Sequence, residues 1–249
     1  PTMFESAELG HTIDKETYAR EVPKLREELL DAQFDLAQKK NFQVIILIGG
    51  VDGAGRGEMV SLLNEWMDPR HIQSNGMGEP TDEEVQRPRM WRYWRALPPK
   101  GKIGIFLGSW YTWPFLQWVF KKTKDEEFAE SLDAAVRFEK MLADEGALII
   151  KFWMHLSRDQ QKKRLKTLEK DPQTRWRVSK RDWEHFKIHD RFRLCAERSI
   201  RHTSTAEAPW IIVDGSDQRY RSLTVGKVVL ETLRKRLDDD TQSPRLIKT

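Results

Sequence analysis

The 249-residue sequence predicts an α/β fold: a three-layer α/β/α domain with a mostly parallel central sheet and a basic helical lid. Three observations carry this expectation. Short apolar runs rich in β-branched residues occur at 43–48, 103–107, 147–153 and 210–214, and unbroken runs of this kind mark strands covered on both faces. Longer stretches with apolar residues at three- and four-residue steps lie between them, and strands alternating with helices imply parallel pairing through right-handed crossovers. The first apolar run also empties into a turn with four glycines, Gly50-Val51-Asp52-Gly53-Ala54-Gly55-Arg56-Gly57, and a helical stretch follows at once.

Taken in order, residues 11–40 form a helix through Leu25, Leu29, Ala32, Phe34, Leu36 and Ala37, with Pro23 placed in its first turn, where a missing N–H costs nothing. The strand at 43–48, the glycine turn and the helix beginning at Glu58 come next. Asp68-Pro69 stops that helix, and residues 71–75 form a short strand. Thr81 to Glu84 has capping-box spacing and opens a helix to about Arg95, with either a kink at Pro88 or a later start. Leu97 to Gly101 is a rigid connector into the strand at 103–107, and Ser109 belongs to the turn that ends it. Phe128, Leu132, Ala135, Phe138 and Leu142 mark an amphipathic helix over 125–145. Ser157 to Gln160 caps a helix to Lys170, a second basic helix follows Ser179, and residues 223–237 close the domain. The expected division is one domain over 1–240, its lid at about 157–200, and a linker-like tail over 241–249.

Composition narrows the function classes. No apolar run reaches the length of a membrane span, the N-terminus lacks the pattern of a signal peptide, and the single cysteine, Cys195, suits a reducing compartment; a cytoplasmic location is expected. The net charge of +4 conceals an asymmetry: residues 157–201 hold fifteen Lys/Arg against seven Asp/Glu, an excess of +8, which leaves −4 for the remainder. A basic excess confined to one segment calls for an anionic partner. Nucleic acid is not expected, because no aromatic recognition pattern accompanies the charge.

Strand, glycine loop and helix in this order make a phosphate cradle, since backbone N–H groups line the loop and the helix N-terminus adds partial positive charge. From Gly50 the glycine spacing is that of a P-loop, but Arg56-Gly57 replaces the usual Lys-Ser/Thr. The expected phosphate-binding residues are Gly50, Gly53, Ala54, Gly55, Arg56 and Gly57. Asp52 is the acidic residue placed to hold a metal or to shape the loop as an Asx-type turn. Arg164, Lys166, Arg175, Arg177 and Arg181 are the candidate lid contacts to an anion. His185 and His189 lie one helical turn apart, but with no third ligand they do not read as a zinc site. Of the ten tryptophans, Trp91, Trp94, Trp110, Trp113, Trp153 and Trp210 fall near strand ends where a base could stack, although core packing with a bonded indole is the commoner role.

Several of these stretches together resemble the polyphosphate kinase 2 family. The loop is similar to the family pattern Gly-x-Asp-x-x-Gly-Lys-Gly; Leu97-Pro-Pro-Lys-Gly101 before the strand, with Ser109-Trp110-Tyr111 after it, is similar to the second motif. Lys151 to Ser157, Asp171-Pro172 with Trp176-Arg177-Val178-Ser179, and Thr203 to Trp210 resemble the lid region and the return to the sheet. The resemblance implies a P-loop kinase-like fold and phosphoryl transfer between inorganic polyphosphate and AMP or a nucleoside diphosphate. It also implies Mg2+ as cofactor, and a homo-oligomer or pairing with a second domain of the same family.

The departures are specific. Where the family has Asp-Arg or Asn-Arg before the Ser-Trp-Tyr stretch, this sequence has Leu107-Gly108. By that resemblance a metal-holding acid and a phosphate-binding arginine are both missing, and a leucine cannot ligate magnesium. Arg56 in place of lysine swaps a compact ammonium for a planar fork. The pattern resembles the first domain of two-domain polyphosphate:AMP phosphotransferases, in which that domain has a degenerate site. Two functions follow: a phosphotransferase whose catalytic residues Asp52 and Arg56 sit in a degenerate site, or a silent polyphosphate-binding domain supporting an active one.

Overall fold

The computed structural model describes residues 2–242. One sheet of five strands, β1 (Val44–Gly50), β2 (Ile72–Gly76), β3 (Ile103–Leu107), β4 (Leu148–His155) and β5 (Trp210–Asp214), runs in the order β2-β3-β1-β4-β5. Every neighbouring pair is parallel. The expected parallel sheet is therefore present, and its three middle strands are the most apolar and the most buried. The connection leaving β1 passes to one side of the sheet and that leaving β4 to the other, which opens a crevice at their carboxyl ends.

Helices cover both faces. The first, α1 (Lys15–Lys39), is capped by Asp14, whose carboxylate accepts from the Thr17 amide at 2.8 Å, and buries Leu25, Leu29, Ala32 and Leu36. Because this cap starts the helix early, Pro23 lies inside it and not in its first turn. After β1 comes α2 (Arg56–Trp66). The capping box at Thr81 forms as expected, but its helix, α3 (Asp82–Val85), lasts one turn, and a separate α4 (Trp91–Ala96) follows. Pro88 accounts for the break, since it disfavours helical geometry at the residue before it.

Between β3 and β4 lie α5 (Thr112–Val119), which the sequence pattern did not reveal, and α6 (Asp125–Asp144). The basic segment folds as α7 (Arg158–Lys170), a 3-10 turn at Arg175–Arg177, α8 (Lys180–Lys187) and α9 (His189–Thr203). Capping boxes at Ser157 and Ser179 start α7 and α8. The closing helix α10 (Gln218–Gln242) begins earlier and ends later than expected; it carries Asp238 to Asp240, and residues 243–249 of the expected tail lie outside the described residues. It packs along α1 and reaches α2.

Candidate active site

The glycine loop joins the end of β1 to α2 at the mouth of the crevice. Gly50 pairs with Met154 of β4, and Gly53 lies against Arg164 of α7. Gly55 caps α2 in the left-handed region at φ 88°, and a Cβ there would come within 2.5 Å of the Arg221 Nε, so this glycine is sterically required. Gly57 has no such requirement, with open space where a Cβ would go. No side chain caps α2, which leaves its first-turn amides to an anion. Ala54, within the loop, is fully buried.

Both carboxylate oxygens of Asp52 are engaged. Arg56 Nη2 donates to its Oδ1 at 2.8 Å, and its Oδ2 lies 2.6 Å from Nδ1 of His185 on α8. Gln161 of α7 donates to the Asp52 carbonyl at 3.0 Å. Burial raises the Asp52 pKa, but the His185 hydrogen bond and the Arg56 charge outweigh it and hold the carboxyl below its ordinary value. One residue past Gly57, Glu58 gathers three arginines from distant parts of the chain. Its Oε1 accepts from Arg164 at 3.0 Å and from Arg177 at 2.8 Å, and its Oε2 accepts from Arg221 of α10. Arg221 is 1% exposed and also donates to the Gly215 carbonyl.

Across the crevice, β3 ends in Leu107-Gly108. Gly108 has φ 83°, and a Cβ there would lie 2.3 Å from the Met77 carbonyl oxygen. The Ser109-Trp110-Tyr111 turn after it is fixed from behind by a buried network. Glu139 of α6 accepts from Trp110 Nε1 at 3.1 Å, from the Tyr111 hydroxyl at 2.7 Å and from Lys151 Nζ at 2.8 Å. Lys151, fully buried on β4, donates also to the Thr203 carbonyl. Burial draws the Glu139 carboxyl up and the Lys151 ammonium down toward their neutral forms, and each is the other's main compensation. Between this wall and the loop lies a cavity of about 300 Å3, with Asp52, Arg56, Arg181 and His185 on one side and Tyr111, Phe115, Trp153 and Trp210 on the other.

The expected lid contacts therefore divide. Arg164 and Arg177 converge on Glu58, and Arg181 reaches the cavity and the field of Asp52, whereas Lys166 and Arg175 are exposed on the outer surface. Ser109 is a turn residue, its amide donating to Thr112 Oγ1 at 3.0 Å. Trp110 and Trp210 have bonded indoles as packing residues do, and Trp94 and Trp113 are partly exposed. Four site residues escaped the sequence reading: Glu58, Gln161, His185 as a partner of Asp52, and Arg221. Only the His185–His189 spacing drew notice, and there toward a metal.

The family profile described as Polyphosphate kinase 2 matches residues 12–241, most of the chain. The chain belongs to the polyphosphate kinase 2 family. A "Polyphosphate:AMP phosphotransferase" of Pseudomonas aeruginosa is 54% identical over 243 residues, which are 98% of this chain and 49% of that protein. An "AMP/ADP-polyphosphate phosphotransferase" of Meiothermus ruber is 30% identical, over 77% of this chain and 72% of that one. The crystal structure of polyphosphate kinase 2 from Arthrobacter aurescens matches with a TM-score of 0.87 at 28% identity, covering 94% of this chain and 84% of that one. The fold is thus the P-loop kinase-like α/β fold of polyphosphate kinase 2 structures. The chain spans about half the length of the Pseudomonas relatives it matches.

Mg2+ is the cofactor that the family resemblance implies, and the residues present do not fit it. Both Asp52 oxygens are taken by His185 and Arg56, and Leu107, at the end of β3, offers no oxygen ligand. Among the described residues no group of three His, Cys, Asp or Glu is placed to hold a metal, and none of their helices is long and apolar enough to cross a membrane.

Proposed function

We propose that the chain is one domain of a cytoplasmic, polyphosphate-dependent nucleotide phosphotransferase, with AMP as the acceptor, and that the transfer site within this domain is degenerate. The observation that carries the reading is the pairing of an intact glycine cradle with a β3 end that holds only Leu107-Gly108. Phosphoryl transfer asks a protein for positioning and for neutralisation of charge on the transferring group. The loop amides, Arg56 and the lid arginines supply phosphate binding. The opposite wall of the cavity, made of Tyr111, Phe115, Trp153 and Trp210, supplies no charge to a transferring group. The domain pairs with a second copy or with a second domain of the same family that carries the missing groups.

Engagement of both Asp52 oxygens favours the related reading, in which this domain binds polyphosphate and leaves transfer entirely to its partner. The test is AMP phosphorylation by the purified chain with polyphosphate and magnesium, read as ADP formed. Each lost electrostatic group costs on the order of 10²–10³ in rate, so two such losses predict turnover roughly 10⁴-fold or more below that of a full-length relative. Residual turnover abolished by Asp52→Ala favours the degenerate enzyme; none at all, with polyphosphate still bound, favours the silent domain. Turnover matching the full-length relative would overturn both.

A further inference from the structure

The convergence of three guanidinium groups on one carboxylate is the least expected feature of the site. Arg164 comes from α7, Arg177 from the following 3-10 turn and Arg221 from α10, and they meet at the first turn of the phosphate-cradle helix. The first turn of α2 has no side-chain cap, so an anion held by its amides would lie in the same neighbourhood of the loop. The site is also incompletely satisfied. Nε of Arg164 and Nε of Arg221 are buried without a hydrogen-bond partner, Arg221 being 1% exposed and pressed beneath Gly55. A carboxylate has two oxygens for three forks, whereas a phosphate group offers more acceptors and more charge. Glu58 itself is a quarter exposed, and Arg177 is 41% exposed, so both can turn away without unpacking the core.

We propose that Arg164, Arg177 and Arg221 form an anion subsite for one phosphate group of a linear polyphosphate, and that Glu58 occupies this subsite as an internal stand-in until polyphosphate displaces it. The inference rests on the reading that polyphosphate is the ligand of this domain. In the free protein the Glu58 carboxylate ties the basic segment to the loop and offsets its charge. When polyphosphate enters, the three guanidiniums exchange carboxylate for phosphate, and Glu58 swings to solvent. The latch makes binding weaker than the arginines alone would give, and confines it to anions carrying enough charge to win the exchange.

The experiment is calorimetric titration of a size-defined linear polyphosphate into the purified chain and into Glu58→Gln, at low and high salt, with AMP as a control ligand. Glu58→Gln keeps the side-chain shape and one carbonyl acceptor for the arginines. The expected result is at least tenfold tighter polyphosphate binding by the variant at low salt, a gain that shrinks as salt screens the charges. Equal or weaker binding overturns the latch, because a Glu58 that merely positions the arginines would lower affinity when neutralised. A gain for AMP and none for polyphosphate overturns the assignment of the ligand. If neither protein binds polyphosphate, the proposed function falls first and the latch with it; if both bind equally, only the latch falls. Should Glu58→Gln melt too low to compare, Glu58→Asp reads the same quantity. A shortened latch gives affinity between wild type and the tenfold gain, and a purely structural role gives affinity below wild type.

Discussion

Introducing the Asp-Arg pair that the family resemblance implies, by Leu107→Asp with Gly108→Arg, should damage the fold and should not raise AMP phosphorylation. The obstacle lies in the backbone at 108. Gly108 has φ 83°, a region that costs an L-residue about 1–2 kcal/mol. The first carbon of any side chain there would also lie 2.3 Å from the Met77 carbonyl oxygen, which itself follows the β2–β3 pairing. Relieving such an overlap by moving backbone costs about 1–3 kcal/mol more. The sum, about 2–5 kcal/mol, corresponds to a fall in Tm of roughly 4–20 °C for a chain of this size. Gly108→Ala isolates the cause, because it adds only the offending carbon: thermal unfolding should show most of the loss in Gly108→Ala and little extra in Gly108→Arg. Leu107→Asp alone should be milder, since Leu107 is only half-buried. The reasoning is refuted if Gly108→Ala melts with the parent protein, or if the double variant phosphorylates AMP at the rate of a full-length relative.

Three further outcomes are expected. Lys151→Met leaves the Glu139 carboxylate buried without its cation and should cost about 3–5 kcal/mol in urea unfolding; adding Glu139→Gln should recover part of that loss, and an unchanged midpoint for Lys151→Met would count against the network. Asp52→Asn should lower stability at pH 7 by about 1.5–3 kcal/mol, the range for hydrogen bonds to charged groups. Because the folded pKa of Asp52 lies below the unfolded one, its contribution is present above about pH 4 and lost as pH falls through the folded value. The stability gap between Asp52→Asn and wild type should therefore close at acid pH, and a gap that stays constant from pH 7 to pH 3 would refute the assignment. Pro23→Ala should stabilise α1 by about 1–3 kcal/mol, as Pro23 is exposed and interrupts the helix ladder, and a lowered Tm would show that the proline sets a needed bend.

The parts of this molecule legible in the sequence are those built from neighbours along the chain. β1, the glycine loop and α2 are contiguous, and the boundaries of the strand at Trp210–Asp214 and the helix at Arg158–Lys170 follow from local patterns and caps. What could not be read depends on distant packing. Asp52 and His185 are 133 residues apart, and Glu58 meets its arginines across 106, 119 and 163 residues. The helix at Thr112–Val119 was hidden for a different reason: it is nearly all apolar and aromatic, so no polar face betrayed its period. Pro23 misled in the opposite direction, because a good cap at Asp14 outweighed the ordinary preference of proline for a first turn.

The charges around the glycine loop offset one another within the chain. A loop that places a helix N-terminus, Arg56, Arg164, Arg177 and Arg221 within one small volume is repulsive unless anions join it. This chain supplies two of its own. Asp52 takes Arg56 and His185, and Glu58 takes the other three arginines, so each carboxylate is shared among several donors and none of these arginines lacks a counter-charge. The same pairing leaves neither Asp52 oxygen without a partner, and the wall across the cavity is aromatic. A variant that frees Glu58's arginines should gain affinity for polyanions and lose stability together, and a gain in one without a loss in the other would separate them.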